Sequence, residues 1–374
     1  MSKRDPELFE TVIIGGGQAG LTAGYYLSKQ KRPFVILDAN ERIGDAWRKR
    51  WDSLRLFTPA CFSSLPGLPF EGPAWSYPTK DELADYLEGY AERFELPVRT
   101  GITVDKLSKV DGRFVISAGE SRFEADNVVV ATGAHRIPKL PGFAPELDPR
   151  IMQLHSSEYR NPAQLQKGDV LVVGVGNSGA EIAADLCSTR RCWLAGEKTG
   201  EIPVPHGTFR ARLGFRVFRF LGHNVLRTDT RIGRKLGPKL LVKGDPLIRT
   251  KVKDLLAAGV ENVPRVAGVR DGLPVLEDDR ALDVSNVVWC TGFRTDFGWI
   301  DLPVFGDDGQ PQHERGVVES EPGLYFLGLV FLYSFSSDVL PGRGRDAEYI
   351  AKHIETSDPK ESRLPTGALA GVTH

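Results

Sequence analysis

The sequence has little cysteine, and its cysteines lack the spacing of a functional site. Four of them, Cys61, Cys187, Cys192 and Cys290, are scattered over 374 residues without a CxxC motif. This pattern argues against a disulfide framework, a zinc site and a redox-active dithiol. We therefore expect a cytoplasmic protein that binds no metal.

Long apolar runs and an excess of one charge are also missing. No segment approaches the ~20 apolar residues of a membrane span, and the charged start MSKRDPELFE lacks the apolar core of a signal peptide. We expect neither a transmembrane helix nor a signal peptide. The formal net charge of −1 favours no nucleic-acid partner. At 41% hydrophobic residues, the chain has enough apolar sequence for about two globular domains.

Two glycine fingerprints open two strand–turn–helix–strand patterns. GGGQAG follows the apolar run TVII and leads to a strand that ends at Asp38. GVGNSG follows DVLVV and leads to a strand that ends at Glu197. The separation from first glycine to acid is the same in both, from Gly15 to Asp38 and from Gly174 to Glu197. The sequence therefore predicts a repeated βαβ unit.

Each fingerprint has the residues that a dinucleotide requires. The first glycine permits a tight turn, the second lets the backbone approach a pyrophosphate, and the third packs the helix on the strand. The helix N-terminus faces the phosphates, and the acid accepts hydrogen bonds from a ribose diol. These roles fall on Gly15, Gly17, Gly20 and Asp38, and on Gly174, Gly176, Gly179 and Glu197.

Two dinucleotide modules in one chain indicate a flavin beside a nicotinamide, because hydride passes between two cofactors held face to face. The segments NVVVATG (127–133) and NVVWCTG (286–292) form a second repeat. We predict an α/β fold with two Rossmann-like dinucleotide-binding domains, the second inserted into the first. The first domain spans 1–160 and 290–374, with a mobile tail after Thr356, and the inserted domain spans 161–289.

Two segments outside the fingerprints have patterns of their own. Thr79 and Glu82 form a capping-box sequence, which predicts a helix start. A basic insertion at about 205–253 has interleaved aromatics, and its Arg216 and Arg219 recur at helical spacing. It is open to three interpretations: a lid over the substrate cleft, a membrane-surface contact, or a nucleic-acid patch. We favour the lid, because the insertion lies where a substrate must enter.

In combination, these motifs resemble a known family. GGGQAG with GDAWRKRWDSLRLFTP, LHSSEYR, GVGNSGAE and GLYFLGLVFLYSFSSDVLPGRGRDAEYIA are similar to class B flavin-dependent monooxygenases of the flavin-containing and YUCCA-like type. The resemblance implies FAD in the first module and NADPH or NADH in the second. It also implies an enzyme that forms a C4a-(hydro)peroxyflavin with O₂ and oxygenates a small organic substrate, by N- or S-oxygenation or Baeyer–Villiger oxidation.

The resemblance also implies individual contacts. FAD contacts are expected at Gly15, Gly17, Gln18, Ala19, Gly20, Asp38, Trp47, Arg48, Thr132, Gly133, Ser337 and Asp338. Contacts to the nicotinamide dinucleotide are expected at Gly174, Gly176, Asn177, Ser178, Gly179, Arg191, Glu197 and Lys198. The candidate catalytic residues are Trp47, Thr58 and Asn177.

The sequence departs from the family pattern at two places. Pro149 and Ile151 stand where the identifying motif has Phe and Gly, so that only His155 and Tyr159 of that motif are present. Thr58 is followed by proline, where many members have an asparagine that stabilises the oxygenated flavin. A histidine such as His155 also fits a structural role at the domain crossover.

Glu197 raises the question of which nicotinamide nucleotide is used. A carboxylate at this position holds the ribose hydroxyls of NADH and repels the 2′-phosphate of NADPH. We hypothesise that NADH is accepted. In the alternative, Lys198 or Arg191 reaches the phosphate and NADPH is favoured.

Other functions stay open at this stage. The same fold serves NAD(P)H oxidases and reductases that oxygenate no substrate, although the lack of CxxC argues against a dithiol reductase. A non-catalytic nucleotide-binding redox sensor is the alternative from another class. A homodimer and a peripheral membrane contact are likewise left open.

Overall fold

Two sheets with parallel strands dominate the fold. The computed structural model describes residues 5–133, 137–197, 200–201, 208–242 and 246–357. Lys198 lies outside the described residues, as does the tail predicted after Thr356 except for Ser357. Every helix in the described parts of the chain is too short or too polar to cross a lipid bilayer.

The strands and helices of the described chain are as follows. The strands are β1 (Glu7–Ile14), β2 (Phe34–Leu37), β3 (Val98–Arg99), β4 (Lys106–Val110), β5 (Arg113–Ala118), β6 (Ser121–Val130), β7 (Ile137–Pro138), β8 (Met152–His155), β9 (Val170–Val173), β10 (Cys192–Ala195), β11 (Glu261–Val263), β12 (Val266–Arg270), β13 (Leu273–Leu276), β14 (Asn286–Trp289), β15 (Phe293–Arg294) and β16 (Leu324–Phe326). The α-helices are α1 (Gln18–Lys29), α2 (Asp45–Arg48), α3 (Lys80–Arg93), α4 (Asn177–Leu186), α5 (Phe209–Phe220), α6 (Arg231–Val242), α7 (Val252–Ala257) and α8 (Leu340–Ser357).

The first sheet has the strand order β3-β2-β1-β6-β5-β4, and β16 also pairs with β6. Strands β1, β2, β3, β6 and β16 run parallel, whereas β4, β5 and β6 form an antiparallel meander. Parallel strands that are covered on both faces are apolar throughout, and the burial of all four residues of FVIL in β2 follows that rule. The carboxyl ends of β1 and β2 therefore lie together, beside the first glycine turn.

The second sheet is parallel throughout, in the order β11-β10-β9-β14-β8. By strand pairing, β8 belongs to this sheet, although the boundary predicted at 160/161 assigns residues 152–155 to the first domain. The boundary predicted after residue 289 coincides with the end of β14. The predicted α/β fold with two Rossmann-like domains is confirmed.

The two linkers between the sheets lie side by side. Strand β7 follows the first Thr-Gly segment, β15 follows the second, and the two form a short antiparallel pair. Trp47 packs against the core of the first sheet and against one of the two cores of the second. The described parts of the two linkers are therefore paired, and Trp47 of α2 contacts a core of each unit.

Local sequence explains where the helices begin. Thr79 accepts a hydrogen bond from the backbone N–H of Glu82, whose carboxylate accepts one from the N–H of Thr79 at 2.7 Å. This confirms the predicted capping box. Helix α8 begins at Leu340, so PGRGRDAEYIA is helical from its first residue. Pro341 is tolerated there because N–H groups in a first helical turn have no intrahelical partner.

Candidate functional site

The first glycine turn, between β1 and α1, is closed on one side and open on the other. Gly15 has φ +113°, which favours glycine, and an added Cβ would lie 2.6 Å from the carbonyl oxygen of Ala131. A Cβ on Gly20 would collide with the carbonyl oxygen of Gly15, so the third glycine lets α1 approach the turn closely. A Cβ on Gly17, in contrast, would meet no atom within 4 Å. The open side is where a pyrophosphate can approach the backbone.

Asp38 lies at the carboxyl end of β2, where it borders the same turn. Its side chain is buried, with Oδ2 accepting from the N–H of Gly16 at 2.6 Å and Oδ1 from the N–H of Asn40 at 2.8 Å. A cavity of about 180 Å³ opens beside the carboxylate, lined by Ile14, Gly15, Leu37, Asp38, Ala39, Asn40, Ile102, Val104 and Thr132. The structure thus brings Gly15, Asp38 and Thr132 together, and these residues fit the ribose end of a dinucleotide.

Helix α8 brings a buried positive charge close to the first glycine turn. Arg343 is 6% exposed. A Cβ added to Gly328 would lie 2.5 Å from Nη1 of Arg343 and 3.1 Å from the Cβ of Ala19, so the guanidinium group lies close to the start of α1. Burial lowers the pKa of Arg343 to about 10. Among the described residues, its Nε has no hydrogen-bond partner. Sequence reasoning missed this arginine, because nothing in PGRGRD distinguishes a buried side chain from a surface one.

The residues just before α8 act mainly as scaffold. The hydroxyl of Ser337 accepts hydrogen bonds from the N–H groups of Tyr333 and Ser334, at 3.1 and 3.0 Å. The carbonyl oxygen of Asp338 accepts a hydrogen bond from Arg343 Nη2. Both residues therefore position the first turn of α8, and their predicted FAD contacts stay predictions.

Of the candidates around α2, Trp47 is the best placed. Its Nε1 donates to Oε1 of Gln18, the first residue of α1, at 3.4 Å. The guanidinium of Arg48 is instead held by α3, with Nη2 at 2.8 Å from Asp85 and 3.0 Å from Glu88. Arg48 therefore ties α2 to α3, and the structure does not present its guanidinium as a cofactor ligand.

Thr58 and Gly133 stand apart from those contacts. The Thr58 hydroxyl lies 3.0 Å from that of buried Ser63, which follows the short 3₁₀ helix Ala60–Phe62. Gly133 has φ +75°, and an added Cβ there would meet no atom within 4 Å. Gly133 thus leaves open space after Thr132, whereas Thr58 stabilises its own loop.

The second glycine turn, between β9 and α4, repeats the first in detail. Gly174 also has φ +113°, and an added Cβ would collide with the carbonyl oxygen of Cys290. A Cβ on Gly179 would collide with the carbonyl oxygen of Gly174, while a Cβ on Gly176 would meet nothing within 4 Å. Ser178 is half-buried in the first turn of α4. The two turns therefore offer the same open backbone to a phosphate.

Asn177 has a structural task in this geometry. Its Oδ1 accepts from the N–H of Ile248 at 2.9 Å, and its Nδ2 donates to the carbonyl oxygen of Pro246 at 3.2 Å. Both ends of the amide hold the segment 246–248 against α4. Asn177 is thus a positioning residue here, and its predicted catalytic role stays a prediction.

Glu181 lies one turn further along α4 and pairs with Arg249, next to the segment 246–248 that Asn177 holds. The sequence motifs did not indicate this residue. Burial raises the pKa of its carboxyl group to about 7, against the lowering effect of Arg249, whose Nη1 lies 3.5 Å away. The same Nη1 donates to the carbonyl oxygen of Arg55 in the first unit, at 2.8 Å. Glu181 and Arg249 therefore connect α4 of the second unit to the first unit.

Two ion pairs mark opposite ends of strands β10 and β11. Glu197 lies beyond the carboxyl end of β10, the end nearer the glycine turn, and its carboxylate is 2.9 Å from Nη2 of Arg265. Arg191 lies at the amino end, where Nε is 2.8 Å from Glu261 and the guanidinium stacks on Trp193. A strand of four residues, about 13 Å, separates the two ends. Arg191 is thus not beside the turn, and Arg265 is the basic neighbour of Glu197.

His155 and Tyr159 lie in the crossover rather than in an open site. His155 is 2% exposed, with Nδ1 at 2.8 Å from Ser157 Oγ and Nε2 at 3.0 Å from the Gly292 carbonyl oxygen. Burial lowers the pKa of His155. Tyr159 is fully buried and donates to Asp185 at 2.8 Å. His155 therefore joins β8 to the linker at Gly292, whereas Tyr159 packs within the second unit.

The basic insertion is docked on the first unit of the molecule. The N–H of Thr228 donates to the carbonyl oxygen of Tyr333, and that of Phe335 donates to Leu226, at 2.8 and 2.9 Å. Between them, Arg227 and Ser334 form an antiparallel bridge. We call this pairing of residues 226–230 with 333–335 the strap. The Tyr333 hydroxyl adds a hydrogen bond of 3.0 Å to Asp229.

A cavity of about 330 Å³ lies between α5 and the loop after Thr58. It is lined by Phe62, Arg216, Arg219, Phe220, His223 and Asn224. Burial and the nearby Arg345 lower the pKa of His223 to about 4, so the imidazole is neutral at pH 7. The walls thus combine aromatic surface with arginine N–H donors.

Known proteins with similar sequences and structures agree with this geometry. The family model "Pyridine nucleotide-disulphide oxidoreductase" matches residues 12–193. The chain is 41% identical over 350 residues to the "Uncharacterized oxidoreductase CzcO-like" of Geobacillus kaustophilus (strain HTA426), covering 93% of this chain and 98% of the relative. It is 29% identical over 390 residues to the "Probable indole-3-pyruvate monooxygenase YUCCA3" of Arabidopsis thaliana, covering 94% and 88%.

Among solved structures, the flavin-containing monooxygenase from Stenotrophomonas maltophilia matches with a TM-score of 0.73 and 28% identity, covering 94% of this chain and 99% of that one. The chain therefore belongs with the CzcO-like oxidoreductases to the class B flavin-dependent monooxygenases, enzymes that use FAD and NAD(P)H.

Proposed function

We propose that this enzyme uses NAD(P)H and O₂ to oxygenate a small organic molecule at nitrogen, sulfur or a ketone carbonyl. The observation that supports this most directly is the pair of matched glycine turns, each with an open second glycine, in one chain. One such site for the flavin and a second for the nicotinamide let hydride pass between two cofactors that the protein holds face to face. The described cysteines include no dithiol for a disulfide reductase, and the substrate oxygenation is our proposal from the family.

The first module has the residues that fit FAD. Gly15 permits the tight turn, Gly17 leaves room for the pyrophosphate, Asp38 accepts from ribose hydroxyls, and Arg343 places positive charge near Ala19. When bound, FAD accepts two electrons from the nicotinamide and activates O₂ for transfer of one oxygen atom. A buried cation beside the first glycine turn would stabilise the negative charge of a reduced flavin, because the surrounding dielectric constant is low.

The second module fits a nicotinamide dinucleotide, and we propose that it accepts NADH. Glu197 holds the ribose hydroxyls, with Arg265 keeping its carboxylate in place at 2.9 Å. NADPH requires Arg265 to leave Glu197 and meet the 2′-phosphate. Both side chains are more than half exposed, so this rearrangement meets little steric resistance.

We further propose that the substrate enters the cavity beside α5, and that the insertion acts as a lid over this cavity. Phe62 and Phe220 offer apolar surface, and Arg216 and Arg219 offer donors to a polar substituent. The neutral state of His223 keeps the inner wall free of a third positive charge at pH 7. We also retain the cytoplasm as the compartment, since all four cysteines are free thiols.

The test measures NADH and NADPH oxidation by the FAD-loaded protein against a panel of amines, sulfides and ketones, with hydrogen peroxide assayed in parallel. We expect at least one panel member to raise turnover and to appear as its oxygenated product, with peroxide falling in proportion. Stoichiometric peroxide with every compound would instead identify an NAD(P)H oxidase. A colourless protein that binds no FAD would leave only a non-catalytic nucleotide sensor.

A further inference from the structure

Helix α5 exposes a continuous apolar stripe to solvent. Phe209, Leu213, Val217 and Phe220 are 79%, 57%, 50% and 60% exposed. At 3.6 residues per turn, these four side chains fall within roughly a quarter of the helix circumference. Leu221 extends the stripe into the following turn, while Ile232 and Leu236 on α6 are also exposed.

This stripe differs from the exposed apolar residues elsewhere. Among the described residues, the other large apolar side chains with high exposure are separated in sequence: Leu8, Phe57, Val110, Leu140, Leu256 and Val330. Scattered exposure of this kind is ordinary for a globular protein, whereas a contiguous patch marks a contact surface. The α5 stripe therefore requires a partner.

Arginines flank the stripe. The guanidinium groups of Arg212 and Arg216 lie 5.3 and 5.8 Å from the ring centre of Trp75, and Arg219 lies 5.3 Å from that of Phe62. In the described parts of the chain, none of the three has a carboxylate within ion-pairing distance. Stacking on a ring leaves the N–H edge of a guanidinium available, and that edge matches the oxygens of a phosphate.

The whole segment 208–242 has the same charge character. Its sequence contains nine arginines and lysines and a single acid, Asp229. A second copy of this face would bring like charges together, and a nucleic acid has no use for an exposed apolar stripe. An anionic phospholipid bilayer satisfies both features, because its phosphates meet the arginines and its acyl chains meet the stripe.

We propose that α5, the turn after it and the start of α6 dock this enzyme on the surface of an anionic phospholipid bilayer. Helix α5 has 12 residues and is about 18 Å long, so it lies in the interface without spanning it. The α5 cavity opens beside the docked helix. Apolar molecules dissolved in the bilayer would then be close to the cavity without crossing water.

The test is flotation of the FAD-loaded, full-length protein with vesicles of phosphatidylcholine alone or with about one-third phosphatidylglycerol. We expect at least fivefold more bound protein on the anionic vesicles, and a loss of most binding at 0.5 M salt as the charges are screened. The double variant Leu213→Ser, Val217→Ser should reduce binding at least fivefold. Arg212→Gln with Arg216→Gln should abolish the preference for anionic vesicles.

The matched control is Leu140→Ser with Val110→Ser. It also removes one leucine and one valine, which are 52% and 49% exposed and lie away from α5. This control should bind vesicles like the wild type. FAD content and the thermal midpoint establish that each variant is folded. Absence of wild-type binding to anionic vesicles, or equal loss in the control, overturns the proposal. The proposal is also overturned if the Leu213→Ser, Val217→Ser variant binds vesicles normally but light scattering shows that it has changed from dimer to monomer. The stripe would then be a contact between two copies of the chain.

Discussion

At the scale of single residues, two ion pairs of the same composition lie at opposite ends of β10 and β11. Glu197 and Arg265 are 2.9 Å apart at the carboxyl ends, and Glu261 and Arg191 are 2.8 Å apart at the amino ends. Ligands bind to open α/β sheets outside the carboxyl ends of the strands. The pair at the carboxyl ends is therefore the one that faces a nucleotide, and the other pair is its internal control.

We predict that Glu197→Gln raises the rate constant over affinity for flavin reduction by NADPH, relative to NADH, about tenfold. The carboxylate repels the 2′-phosphate, and its removal also frees Arg265 to meet that group; tenfold corresponds to about 1.4 kcal/mol. Arg265→Gln should lower the same ratio. Rapid mixing under anaerobic conditions measures both. Glu261→Gln should leave the ratio unchanged, and an equal shift in this variant would disprove a local role for Glu197.

Glu181 gives a second prediction at the same scale, on stability against pH. Its pKa is raised from its ordinary value of 4.5 to about 7, so the folded state holds this proton more tightly than the unfolded state. The corresponding stability is fully present below about pH 4.5 and is lost as pH rises to about 7. Over this window, wild type should lose about 2–3 kcal/mol relative to Glu181→Gln, which has no proton to release.

Urea unfolding at pH 4.5 and pH 7.5 checks this expectation. Glu120→Gln, at an exposed position, is the control and should follow the wild-type pH profile. Parallel stability curves for wild type and Glu181→Gln would mean that the Glu181 carboxyl group is as easily ionised in the folded as in the unfolded protein.

At the scale of elements, two glycines at the start of α1 have different roles: Gly20 is required for packing, and Gly17 leaves open space for a ligand. An added Cβ at Gly20 collides with the backbone of Gly15, so Gly20→Ala should lower the free energy of unfolding by about 1–3 kcal/mol. Gly17 has φ −77° and open space around it, so Gly17→Ala should leave the stability of the FAD-free protein unchanged. It should still weaken FAD binding at least tenfold, because the methyl group occupies the approach of the pyrophosphate.

Thermal unfolding without FAD and fluorescence titration with FAD measure the two effects separately. The corresponding variant in the second module is Gly176→Ala, which should keep full FAD affinity and slow flavin reduction by either nucleotide. If Gly17→Ala bound FAD like the wild type, the pyrophosphate would not lie over the first glycine turn.

The elements also indicate how far sequence reasoning reaches in this protein. Features set by local spacing were predictable: the two βαβ units and the capping box at Thr79 follow from residues close in sequence. Arg191 precedes β10 and therefore lies at the amino end of that strand, whereas ligands bind outside the carboxyl ends, so the prediction for Arg191 overlooked a rule that the sequence order already supports. Arg265 and Arg343 were missed because β11 and α8 bring them to the two sites from distant parts of the chain.

At the scale of the whole molecule, the insertion in the nicotinamide unit is attached to the flavin unit by the strap. Backbone pairing of 226–228 with 333–335 is reinforced by Arg345, whose Nη1 donates to the His223 carbonyl oxygen at 2.6 Å and whose Nη2 donates to Ser334 Oγ at 2.6 Å. Together with Arg249 on Arg55, these contacts fix the two units relative to each other. If α5 acts as the proposed lid, its opening requires the strap to separate.

We predict that Tyr333→Phe increases this opening about tenfold, because it removes the hydroxyl that donates to Asp229 at 3.0 Å. A hydrogen bond to a charged group contributes about 1.5–3 kcal/mol, and 1.4 kcal/mol already changes an equilibrium tenfold. Limited trypsin digestion measures the opening, since the insertion is rich in arginine and lysine. Cleavage within 208–242 should accelerate about tenfold, with FAD content unchanged. Tyr349→Phe removes a hydroxyl from α8 outside the strap and should digest like the wild type, whereas equal acceleration in both variants would assign the effect to α8 rather than to the strap.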